Sequence, residues 1–193
     1  ALFMLWVQPE GETAVLRVLE GVLQPPYEGA FGAAAPFHGL ARFRECSFHT
    51  AYPFAQVWLS DPHVPVDVRL EAFNPLIPGD SEASGIPVAI LRYVLYNRSK
   101  QSMAATICAS MKNFIGFDGR EGKSQGNVNT FREGAEVRGL FFFSEGVDPS
   151  AMQYGTMALT TTHVPVSVKR YWDPERRKGL LYLWDDLAED GHL

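Results

Sequence analysis

The chain has 193 residues, enough for a single domain with a sizeable core. Apolar residues make up 46% and charged residues 20%, a balance that excludes an intrinsically disordered tail and a polytopic membrane protein. With 17 basic against 22 acidic residues the net charge is −5, and no basic block could neutralise a run of phosphates, so nucleic acid is excluded as a partner.

In chain order, residues 3–8 and 14–19 read as strands, and 54–59 as a third. Residues 64–72 (VPVDVRLEA) alternate strictly: every even position is apolar, while Asp67, Arg69 and Glu71 share the other face. The next segment, 88–96 (VAILRYVLY), is apolar on both faces apart from Arg92 and is expected to be a central strand covered on both sides. Residues 103–111 and 139–143 read similarly, with 157–162 and 164–171 as further strands. Phe141, Phe142 and Phe143 must put a ring on each face of their strand, giving an inter-sheet core and a covered outer face. Leu180, Leu183, Trp184 and Leu187 recur at helical spacing before Gly191, a suitable C-terminal cap. Thirteen prolines and seventeen glycines fall mostly between the strands, so the fold expected is an all-β, two-sheet antiparallel β-sandwich with long loops and one short C-terminal helix.

Two connections are unusually long. Residues 74–87 (NPLIPGDSEASGIP) contain Pro75, Pro78 and Pro87, whose fixed φ angles stiffen the loop for docking. Residues 112–132 begin with an aromatic half containing Asn113, Phe114 and Phe117, followed by a polar, glycine-rich half expected to be mobile. Asn74, Pro75, Pro78, Asn113, Phe114 and Phe117 are therefore the candidate residues for a site or a domain interface, with anchoring of their own loop as the alternative for Phe114 and Phe117.

Chemistry-bearing motifs are sparse. Cys46 and His49 alone have a spacing compatible with shared metal ligation, and one pair cannot fill a tetrahedral site, so no metal is expected. No phosphate-cradling glycine motif and no nucleophile elbow is present, and no cofactor is implied. Asp61 belongs to a turn, Asp67 and Glu71 to a wet strand face, and the sequence Asn97-Arg98-Ser99 reads as a turn rather than a glycosylation site. Two cysteines do not make a disulfide framework and favour a reducing, cytoplasmic setting. The apolar run at residues 1–7 is far shorter than the ~18 residues of a membrane span. The chain starts with Ala1 rather than a methionine, in the middle of what reads as a strand, and reads as an excerpt of something longer.

Several stretches are similar to a known family. Tyr52-Pro53-Phe54-Ala55, Ser60-Asp61-Pro62 with Val64-Pro65-Val66, Glu71-Ala72-Phe73-Asn74-Pro75-Leu76-Ile77-Pro78 and Ser84-Gly85-Ile86-Pro87 resemble the N-terminal domain of the bile-acid β-glucosidase, or non-lysosomal glucosylceramidase, family. Asn113-Phe114-Ile115-Gly116, Tyr154-Gly155-Thr156-Met157 and Trp184-Asp185-Asp186-Leu187 extend the match. The resemblance implies a two-domain retaining enzyme acting on β-glucosides and glucosylceramide-like lipids, with an N-terminal β-sandwich and a catalytic α/α toroid. It places the nucleophile and the acid/base in the toroid, so no catalytic residue is expected among these 193, which form most of one sandwich. The expected partners are the toroid and, through it, a glycoside or glycolipid substrate, with membrane association of the parent enzyme where the substrate is a lipid. The alternative is a stand-alone carbohydrate-binding or protein-interaction module.

Overall fold

A computed structural model describes residues 1–28, 37–172 and 179–193. The strands are β1 (Leu2–Pro9), β2 (Val15–Gly21), β3 (Arg42–Phe43), β4 (Glu45–Ala51), β5 (Phe54–Ser60), β6 (Val66–Phe73), β7 (Ile90–Asn97), β8 (Met103–Ser110), β9 (Asn127–Glu133), β10 (Arg138–Ser144) and β11 (Met157–Thr161). A short helix α1 (Ser81–Ser84) separates β6 from β7, and α2 (Gly179–Asp190) follows β11. Hydrogen bonds order the sheets as β3-β2-β1-β8, β4-β5-β6-β7 and β11-β10-β9, and none closes into a barrel among the described residues. This is the expected all-β class; β1 with β2, β4 through β7, and β9 through β11 pair antiparallel, and β3 joins β2 in parallel. The chain divides into two compact units, Met4–Ile107 and Ala1–Phe3 with Cys108–Leu193.

In the first unit β1 lies between β2 and β8 and is covered on both faces, which is why Met4, Leu5, Trp6 and Val7 are all buried. The alternation in β6 is realised as expected. Val64, Val66 and Val68 are buried together with Leu59 of the adjoining β5, while Asp67, Arg69 and Glu71 project from the opposite face and form ion pairs there. Gly21 marks a close approach to β4, since a Cβ there would stand 2.6 Å from that of Cys46. The turn entering β6 is clamped by polar groups: Asp61 is buried and accepts the N–H groups of His63 at 2.8 Å and Arg44 at 3.3 Å, while Arg98 donates to the Asp61 and Val64 carbonyls. Asp61 is therefore the turn residue it resembled. Asn97 likewise closes a turn, accepting Ser99 N–H at 2.8 Å and donating to the Gln101 carbonyl at 2.8 Å.

In the second unit β10 is central, with Phe142 buried and Phe141 and Phe143 half-buried on the other face. Gly139 is required where β10 meets β11: its φ is +154°, and a Cβ would stand 2.1 Å from the Leu159 carbonyl oxygen. The expected terminal helix is present. It buries Leu183 and Leu187, and Gly191, at φ +78°, donates its N–H to the Leu187 carbonyl at 3.0 Å.

Three sequence expectations are corrected. The segment expected as a doubly covered central strand is β7, an edge strand among the described residues, and Ile90, Leu91 and Tyr96 are exposed. Apolar residues on both faces marked a sheet end with incomplete cover, which periodicity cannot distinguish from burial. Residues 164–171 form no strand; the bonds made there involve side chains rather than a ladder. Ser167 accepts Leu193 N–H, Arg170 O accepts the Asn129 amide, Tyr171 accepts Asn129 N–H, and Lys169 pairs with Asp186. The glycine-rich half of the second long loop is fastened and runs into β9; Ser144 donates to the Gln125 carbonyl and Glu145 N–H to that of Gly126. β4 escaped detection because its mixed sequence ECSFHTA is exposed along its whole length, so burial imposed no pattern on it.

Burial at the individual position sets the expected cost of truncation in the β4–β7 sheet. Leu59, 2% exposed, should lose about 2–5 kcal/mol on replacement by Ala, whereas Phe48→Ala, at 64% exposure in β4, should stay within about 0.5 kcal/mol in urea denaturation.

Candidate functional site

The loop after β6 is built from local turn chemistry. Pro78 and Gly79 occupy the centre of a turn closed by Asp80 N–H donating to the Ile77 carbonyl at 3.0 Å, and Gly79 supplies the positive φ of +83° that the second central position needs. Asp80 then caps α1, its carboxylate accepting Ala83 N–H at 2.8 Å. The Ser84 hydroxyl binds both the N–H and the carbonyl of Ile77, at 2.9 and 3.1 Å, closing the loop on itself. The proline-stiffened loop anticipated from sequence is thus held by specific hydrogen bonds. Asn74 and Pro78 are exposed and Pro75 half-buried; the larger apolar side chains on display are Leu76, Ile77, Ile86 and Val88.

That loop springs from an apolar end of the β4–β7 sheet. Register aligns Ala51, Phe54, Phe73 and Ile90 across the four strands, and the Phe54 and Phe73 rings lie 5.8 Å apart, tilted by 50°. Further along the same face come Gln56, Glu71 and Arg92, then Trp58, Arg69 and Val94, then Asp67 and Tyr96. Glu71 pairs with Arg69 at 2.9 Å and Arg92 at 3.5 Å, and Asp67 pairs with Arg98 at 3.3 Å. Asp67 and Glu71 share a face but stand four residues apart, about 13 Å along a strand. Glycosidic hydrolysis requires carboxyl groups about 5–5.5 Å apart for retention or about 6.5–9.5 Å for inversion, so this pair lacks the spacing for either. Cys46 and His49, three apart on β4, point to opposite faces and cannot share a metal ion.

In the second unit the loop 113–126 is organised by one side chain. Asn113 is buried and uses both ends of its amide. The NH2 donates to Asn129 Oδ1 at 3.0 Å, to the Phe143 carbonyl at 3.1 Å and to that of Val128 at 3.3 Å; the oxygen accepts Ile115 N–H at 3.1 Å and the Asn127 amide at 3.0 Å. Gly116, at φ +91°, donates to the Gln153 carbonyl at 3.0 Å, joining this loop to residues 151–154. Asp118 closes the loop, accepting Arg120 and Glu121 N–H at 2.8 and 2.7 Å. These N–H groups, Glu121 first, then Arg120 and the Gln153 amide, hold its carboxyl below the ordinary carboxylate range. Phe117 is half-buried, while Phe114 is 51% exposed and Met152 and Tyr154 are exposed on the joined loops.

Of the six residues singled out from sequence, Asn74, Pro75 and Pro78 thus belong to the first unit, and Asn113, Phe114 and Phe117 to the second. Sequence reasoning missed Leu76, Ile77 and Ile86, which sit inside the loop it flagged, and Met152 and Tyr154. It also missed Trp58, Arg69 and Tyr96, whose grouping becomes visible only when strand register is known. No helix among the described residues is long and apolar enough to cross a membrane.

The family model described as beta-glucosidase 2, glycosyl-hydrolase family 116 N-term matches residues 1–193, and the chain belongs to that family.

Asn113→Ala would leave the Ile115 N–H and several carbonyls without their partner and should cost about 1–3 kcal/mol in urea denaturation, whereas Phe114→Ala should stay within about 0.5 kcal/mol. Asp118 contributes stability above the ordinary carboxylate range and loses it as the pH falls through its lowered pKa. The stability difference between wild type and Asp118→Asn should therefore shrink as the pH is lowered below about 4, measured as urea midpoints across a pH series.

Proposed function

We propose that, as an N-terminal domain of glycosyl-hydrolase family 116, the chain is a non-catalytic support of a retaining β-glucosidase or glucosylceramidase-like enzyme. It docks against the catalytic α/α toroid and borders its substrate opening, and the glycoside or glycolipid is reached through that toroid. The observation that carries this reading is the loop 74–89: its backbone is fixed by a turn, a cap and a side-chain staple, yet Ile77 remains 52% exposed with Leu76, Ile86 and Val88 beside it in sequence.

Exposed apolar side chains cost solubility and contribute nothing to the unit's own core, whereas on rigid backbone they lose little entropy on being covered. Phe114, Met152 and Tyr154 repeat this pattern in the second unit, on loops pinned by Asn113 and by the Gly116–Gln153 hydrogen bond. In this reading Asn113, Pro75 and Pro78 position the loops, Phe117 anchors one of them, and Asn74 and Phe114 face the partner.

In the complete enzyme, Ile77→Ser combined with Ile86→Ser, and separately Phe114→Ser, should each accelerate thermal inactivation and lower β-glucoside turnover several-fold. The same substitutions should leave the urea midpoint of the isolated chain within error. Unchanged inactivation and turnover in both variants would defeat the docking reading.

A further inference from the structure

We propose that the wet face of the β4–β7 sheet carries a binding platform for a neutral glycan, built from Trp58, Arg69 and Tyr96. Register puts the three on one side of the sheet, on adjacent strands β5, β6 and β7. The Trp58 and Tyr96 rings lie nearly parallel, 15° apart with centroids 5.9 Å apart, and the Arg69 guanidinium carbon stands 5.2 and 5.4 Å from their centroids. Both residues remain over a third exposed, at 37% and 38%, so this grouping is a surface feature and not a core contact.

Its chemistry selects the ligand. The guanidinium groups here are already answered by carboxylates, Arg69 and Arg92 by Glu71 and Arg98 by Asp67, which leaves no free cation cluster for a phosphate or an acidic peptide. What remains is flat aromatic surface beside planar hydrogen-bonding groups: Gln56 and Glu71 pair across β5 and β6 in the next row, and Ser47 pairs with Trp58. A pyranose has the same two sides, an apolar C–H face that lies on an aromatic ring and a rim of hydroxyls that both donate and accept. Arg69 is held by two ring contacts and an ion pair with Glu71. It holds the two rings in place, and little ordering is left for the ligand to impose.

The platform is independent of the docking surface above. Trp58 lies four residues from Phe54 along β5, about 13 Å away, and the reading needs none of the residues tested there.

The test titrates the 193-residue chain with cellotetraose and, separately, maltotetraose, followed by calorimetry and by two-dimensional amide NMR. Saturable binding of at least one sugar is expected, with shifts that include the Trp58 indole N–H. Trp58→Ala and Tyr96→Ala should each weaken it by about tenfold or more, and Trp58→Phe should recover part of the loss. Because the NMR arm uses unaltered protein, it remains decisive where an alanine variant fails to fold. Absence of saturable binding by both sugars would overturn the proposal, as would shifts that spare Trp58 and its neighbours, or affinity that survives both alanine variants. Should the wild-type chain bind neither sugar while Trp58→Ala weakens association with the catalytic domain, the face is a protein contact and the proposal also falls.

Discussion

The period-two register of β6 within the β4–β7 sheet is the constraint on which the first unit depends. A strand has two faces, and one residue of slippage would exchange them. In β6 that exchange would bring Asp67, Arg69 and Glu71 to the side now held by Val66 and Val68, which are almost completely buried. Burying three charges without solvent costs far more than the strand's hydrogen bonds could return, so the register is fixed by exclusion as much as by attraction. Once it is fixed, the neighbouring strands inherit it. Leu59 joins the valines, Trp58 meets Arg69, and Phe54 meets Phe73. The wet face is therefore a by-product of core formation, and its order of rows, from apolar through charged to aromatic, is written by the same ladder.

The second unit solves a different problem, that of holding long irregular backbone without a ladder. Buried backbone groups must find partners, and in a loop the neighbouring strand cannot supply them all. Asn113 does so with one amide, whose donor and acceptor ends both serve main-chain groups, with Asn127 and Asn129 completing the set. Gly116 and Gly122 allow the loop to fold closely on itself, where a Cβ on Gly122 would stand 2.2 Å from the Gly116 carbonyl oxygen. Residues 120–132 therefore look like a linker in composition, while in structure they are tied at both ends. Glycine content signals conformational permission; whether that permission becomes motion or a tight turn is decided by partners distant in sequence.

The same distinction explains what could be read from the chain alone. The β6 alternation, the Leu183 and Leu187 stripe with its Gly191 cap and the turn at Asp61 are local patterns, each enforced by burial or by bonds within a few residues. The rigid character of 74–87 was legible from its prolines, and the prominence of Phe114 from its place in a loop. By contrast, the edge position of β7 and the side-chain anchoring of 164–171 depend on pairings over tens of residues, and β9, although it pairs locally with β10, has a mostly polar sequence that carries no strand pattern. The family resemblance supplied what local pattern could not, because Tyr52 to Pro87 carries its motifs in order, and the family match over residues 1–193 agrees with it.

Why the apolar row and the aromatic row stay separate follows from the row between them. Gln56, Glu71 and Arg92 stand between Phe54 with Phe73 and Trp58 with Arg69. Were that row apolar, the hydrophobic surface of Phe54 and Phe73 would run on to Trp58, with unpaired edges at β4 and β7 among the described residues, an arrangement that invites association. Glu71 prevents this at small cost, because its two arginine partners, one from its own strand and one from β7, neutralise it while leaving it hydrated. Glu71 thus has a structural consequence: it divides one face into two surfaces of different chemistry.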